Sequence, residues 1–137
     1  MKITGLQKKR EGRWERQAEL TLTKGEGVSL ITRRGTKIIE EDLNRGKAGF
    51  CHRRFKANIL VEKIKELREG RVQPGDQLRG EEVTLEIEKI GKKCHENCSI
   101  YTGEDCLFLE EIYFLKVRRP GKLRLSENVK YQEKHPS

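Results

Sequence analysis

Residues 82–90 read EVTLEIEKI, and their alternation decides the fold class. Val83, Leu85 and Ile87 lie on one side of an extended chain, with Thr84, Glu86 and Glu88 on the other. A period of two, apolar on one side only, marks a strand that buries one face and wets the other. Residues 18–23, AELTLT, set Ala18, Leu20 and Leu22 against Glu19, Thr21 and Thr23. Residues 54–61, RFKANILV, set Phe55, Ala57, Ile59 and Val61 against Arg54, Lys56, Asn58 and Leu60.

Working outward, residues 1–7 predict a short strand around Ile3 and Leu6. KKREGRWERQ, residues 8–17, reads as a charged loop or hairpin turn. Lys24 to Gly27 is a turn, and Val28 to Thr32 a short apolar strand. A short helix is predicted over 36–44, where Ile38, Ile39, Asp42 and Leu43 recur at helical spacing before Gly46 and Gly49 break the chain. Residues 62–69, EKIKELRE, predict a helical turn or two. Pro74-Gly75-Asp76 is a turn signal. Residues 107–117 are apolar at mixed spacing, and helix and strand both remain open there. Pro120-Gly121 turns the chain into Lys122–Leu125, predicted to form a last strand pair with Val129 and Tyr131. Six or seven short strands with turns between them predict a mainly β domain, a single antiparallel barrel or sandwich with few short helices. Nothing resembles a run of βαβ units. The domain is expected over 1–132, with 133–137 a frayed tail.

The chain has 137 residues, enough for one domain and one core. Leu, Ile, Val and Phe make up 34 of them, whereas disordered chains fall below about a fifth. Charged residues reach 38% and mean hydropathy is -0.84. No apolar run approaches the roughly 18 residues of a membrane helix. MKITGLQKKREGR lacks the apolar stretch of a secretory signal, so a cytoplasmic protein with reduced cysteines and no membrane partner is expected. Lys and Arg number 30 against 22 acids, a net charge of +8 that calls for an anionic partner or ligand. Lys8 to Arg16 with Trp14 fits nucleic acid loosely. The bases are spread through the chain among the acids, however, and Trp14 is expected to pack in the core or hairpin. Nucleic acid is therefore the less favoured partner.

The chemistry concentrates in GKKCHENCSIYTGEDC, residues 91–106, which carries Cys94, His95, Cys98 and Cys106. Thiolates are soft ligands and nucleophiles suited to zinc, iron–sulfur, molybdenum or persulfide chemistry. Lys89, Lys92 and Lys93 favour the ionised thiol. Two plainer readings stand beside this one. Cytosolic cysteines often act as small buried hydrophobes. A structural zinc site is also possible on residue types, with Cys94, Cys98 and Cys106 as ligands and His95 or Cys51-His52 as the fourth, although no C-x2-C pair exists. In HRRFKANILVE, residues 52–62, Asn58 interrupts a β-forming run and needs a reason. Arg54 and Asn58, four apart, share one strand face and offer donors for an anion or a pterin-like ring.

Together these stretches resemble the MOSC family, the domain named for the C-terminal region of molybdenum cofactor sulfurase. The likeness rests on Arg54-Phe55-Lys56-Ala57-Asn58-Ile59, then Gly75-Asp76-Gln77-Leu78, then Val83-Thr84-Leu85-Glu86-Ile87. The loop 91–106 is similar to that of small stand-alone bacterial members, and Val28-Ser29-Leu30-Ile31 to the family's VSL strand. The resemblance covers residues 28–130. It implies a barrel-like fold that binds the molybdenum cofactor (or its tungsten variant), or carries sulfur as a persulfide without pyridoxal phosphate. It implies Cys98 as metal ligand, by its place before Ser99-Ile100-Tyr101. Some members keep only an earlier cysteine, which matches Cys94. Arg54 and Asn58 match positions on the cofactor side, with Lys92 and Lys93 beside them. Implied partners are the cofactor itself or the proteins that make and insert it. Thr23 to Gly27 stands where many members carry a longer G-D-x-H-A-G-like loop. That departure favours a carrier, a sulfurtransferase or an accessory module over a complete reductase.

Overall fold

The computed structural model describes residues 1–44, 57–62, 72–90 and 112–133. In chain order the elements are β1 (Ile3–Arg10), β2 (Arg13–Arg16), β3 (Glu19–Leu22), β4 (Gly27–Thr32), α1 (Arg33–Asn44), β5 (Ile59–Val61), β6 (Gln77–Arg79), β7 (Thr84–Ile90), β8 (Ile112–Arg119), β9 (Gly121–Arg124) and β10 (Lys130–Gln132). The protein is mainly β. No helix of the described residues is long and apolar enough to cross a membrane.

The alternation in 82–90 is realised in β7, whose flank Val83 and inner residues Leu85 and Ile87 are each 1% exposed. β7 lies between β6 and β8, so Leu85 faces Leu78 on one side and Val117 on the other. Over residues 112–117 of the ambiguous stretch strand wins, because β8 has a partner on both edges, β7 and β4, while 107–111 lie outside the described residues. The full order is β10-β6-β7-β8-β4-β5-β1-β2, with β3 and β9 forming a separate ribbon. Inner residues of both sheets, among them Ile3, Leu22, Leu30, Ile59, Tyr113 and Leu123, make one core. A void of about 10 Å³ lies in it, lined by apolar side chains including Met1, Leu30, Leu78 and Val129. That is room for about one water and no ligand.

Three findings differ from the sequence reading. First, β4 and β5 are parallel, pairing Leu30 with Ile59 and Thr32 with Val61, so β4, α1 and β5 make one βαβ unit in an otherwise antiparallel sheet. Its helix starts at Arg33, three residues before the expected start at 36, because Thr32 caps it. The Thr32 Oγ1 accepts a bond from the Gly35 N–H at 3.2 Å. Second, β9 pairs with β3, and β10 with β6, rather than with each other. The β3–β9 register puts Leu20 against Leu123, both buried, and Glu19 against Arg124. Leu125, expected in a strand, is 44% exposed beyond it. Third, Ala18 is exposed because β3 begins only at Glu19.

The Pro74-Gly75 turn forms as read. Gly75 takes φ 98°, and the Asp76 N–H bonds the Gln73 carbonyl at 3.1 Å, a type II arrangement that favours glycine at its third position. Buried Asp76 accepts bonds from the Gln73 N–H at 2.8 Å and from the Tyr131 hydroxyl, which ties β10 to this turn. At the other end of the strand order, the Met1 ammonium donates to the Val129 carbonyl at 3.0 Å and the Val129 N–H to the Met1 carbonyl at 2.8 Å. The Ile3 N–H bonds Glu127 and the Ser126 N–H bonds Ile3, each at 3.0 Å. The start of β1 thus lies along the run that leads into β10.

Candidate functional site

Asn58 is the expected site residue that lies within the described part of the chain. It sits one position before β5, where three strands meet. Its Oδ1 accepts bonds from the Ser29 N–H at 3.1 Å and the Ser29 hydroxyl at 3.3 Å, and its own N–H donates to the Ser29 Oγ at 3.2 Å. Its Nδ2 donates to the Gln7 carbonyl at 3.3 Å, while the Gln7 N–H donates to the Asn58 carbonyl at 2.8 Å. Gln7 closes the seam by donating from Nε2 to the Ala57 carbonyl at 3.2 Å. This explains an asparagine in a β-forming run. Its amide supplies both donor and acceptor where β1, β4 and β5 leave backbone groups without ladder partners. One Nδ2 hydrogen remains without a partner among the described residues.

Cys94, Cys98, Lys92, Lys93 and Arg54 lie outside the described residues, as do Cys51, His52, His95 and Cys106. The described strands do show where the cysteine segment is rooted. Residues 91–111 connect β7 to β8, leaving at Ile90 and returning at Ile112. Ile90 is paired with Tyr113, which is fully buried, and Ile112 with Ile31 of β4. Ile112 is buried and Ile90 half-buried, so both roots are held by strand pairing within the sheet. Lys89, one residue before the end of β7, holds its Nζ 6.0 Å from the centre of the Phe114 ring, at the outer edge of cation–π range. The described residues include no cluster of three or more His, Cys, Asp or Glu able to hold a metal.

The basic excess is unevenly placed. On the β7–β8 and β3–β9 surfaces four cations are matched by glutamates. Arg118 meets Glu86 at 2.6 Å, Arg124 meets Glu82 at 2.6 Å, and Lys122 meets Glu19 at 3.6 Å. Lys116 meets Glu88 at 4.0 Å. The hydrogen bond and then the charge of Glu86 hold the Arg118 guanidinium above its ordinary pKa, and Glu82 does the same for Arg124. The β1–β2 hairpin differs. Residues 8–16 are exposed except for half-buried Trp14, and their cations form no ion pair among the described residues. In the sequence the bases are spread through the chain among the acids. The ladder register that separates paired from unpaired cations is not visible in composition.

Comparison with family models, with curated proteins and with solved structures gives no match to this chain.

Proposed function

We propose that this chain binds the molybdenum cofactor, or its tungsten variant, or carries sulfur as a persulfide, through a thiolate at Cys98 or Cys94 in the manner of MOSC domains. The observation that carries the reading is the segment GKKCHENCSIYTGEDC, set between two neighbouring strands that are paired with each other at its roots. A fixed base under a cysteine-rich connection is what precise placement of one sulfur needs. The donor set fits an anionic, metal-bearing pterin. A thiolate would hold the metal, Arg54, Lys92 and Lys93 the phosphate, and the spare Nδ2 hydrogen of Asn58 a ring acceptor. The ligand would sit outside the apolar interior, whose void is too small for it. The same reading takes the sheet as barrel-like. The bonds from Met1 and Ile3 to residues 126–129 support closure, since they draw the first strand to the run before the last.

In this role the protein is a carrier, sulfurtransferase or accessory of cofactor metabolism. Its implied partners are the cofactor or the proteins that make and insert it. The test is elemental analysis of protein purified without added metal, with mass spectrometry of the Cys94 and Cys98 peptides. Molybdenum or tungsten, or one added sulfur, is expected in the parent protein. Either should be lost in Cys98→Ser or Cys94→Ser at a nearly unchanged thermal midpoint. Stoichiometric zinc required for folding, or unfolding of both variants, overturns the proposal.

A further inference from the structure

We infer that the β1–β2 hairpin is a binding arm for single-stranded nucleic acid, with Trp14 as a stacking platform between Lys9 and Arg16. The ladder pairs Lys9 with Trp14 and Gln7 with Arg16, so these four share one face. That face carries two cations, an aromatic ring and no acid. Glu15 lies on the opposite face, paired with Lys8, and Glu11 sits in the turn with φ 50°. Gln7 anchors the base of the face through its bond to Ala57. At the tip Arg10 stands directly opposite Arg13, a like-charge pair that weakens a hairpin left to itself and concentrates positive field at its end. None of these cations has an ion-pair partner among the described residues, while Lys116 and Arg118 of β8 and Lys122 and Arg124 of β9 do.

A phosphate chain supplies the missing charge, and an unpaired base supplies a flat surface for the indole. An anionic membrane fits less well. From Gln7 to Arg16 the hairpin offers no apolar side chain besides Trp14 to enter the acyl region. A duplex keeps its bases stacked and offers the indole no free face.

Trp14 is the chain's single tryptophan, so its fluorescence reports this face alone. The experiment titrates the full chain with a fluorescein-labelled deoxythymidine oligonucleotide of about 12 residues, following indole quenching and label anisotropy. Quenching is expected, and affinity should fall about twentyfold between 50 and 200 mM salt if about three phosphates are contacted. Trp14→Leu should weaken binding about tenfold by anisotropy. The double variant Lys9→Glu with Arg16→Glu should weaken it further. Lys116→Glu with Lys122→Glu, an equal charge change on the glutamate-paired surface, should leave it nearly intact. Equal loss in that control means net charge alone drives binding and overturns the inference. So does absence of quenching, or tighter binding to the matching duplex or to phosphatidylserine vesicles.

Discussion

The body of the sheet and its β1–β2 arm differ in how their side chains are occupied. In the body, apolar side chains fill a continuous core, the Asn58 amide stitches three strands, and four surface cations of β8 and β9 sit against glutamates. In the arm, exposed cations stand without ion pairs around one half-buried tryptophan. Charge that stability does not use is charge available to a partner. A net of +8 therefore says less than the location of its unmatched part.

The contrast can be broken by substitution, because body positions should change stability and arm positions should not. The largest effect is expected at Leu85→Ala. This removes a side chain 1% exposed between Leu78 and Val117 and should cost about 3–5 kcal/mol in denaturant unfolding. Asn58→Ala leaves the Ser29 N–H and the Gln7 carbonyl without their partner and should cost about 2 kcal/mol, read the same way. Thr32→Ala removes the cap of α1 and should cost about 1 kcal/mol. The smallest effect is at Lys8→Ala in the arm, within about 0.5 kcal/mol of the parent. If Lys8→Ala destabilises as much as Asn58→Ala, the arm is part of the folded scaffold and the contrast fails.

Much of the scaffold was legible in the sequence because burial of one face imposes a period of two. Val83, Leu85 and Ile87 therefore read directly as core, and Pro74-Gly75 as a turn. Strand partnership was not legible. Nothing local tells Leu123 to face Leu20 instead of the segment around Val129, since all three end in the same core. The helix start was hidden because Thr32 acts through a hydroxyl that no periodicity registers, and Arg33 and Arg34 bring no acid to the first turn. Asn58 was legible as an anomaly. Its role in the seam was not, because Gln7 and Ser29 meet it only after β1, β4 and β5 assemble. For the cysteine segment, residue types and spacing carry the reading, and the strands add its roots at Ile90 and Ile112.

The central claim concerns one exposed and ionised sulfur. Its most direct test is the rate of alkylation of each cysteine against pH in the native protein, resolved by peptide mass spectrometry. Cys98 or Cys94 should react fastest, with a midpoint clearly below the ordinary thiol value of about 8.5, because Lys92 and Lys93 directly precede Cys94 and stand within six residues of Cys98 in the chain. If both react no faster than Cys51, or only once the protein is unfolded, the sulfur is packing material and the account is wrong.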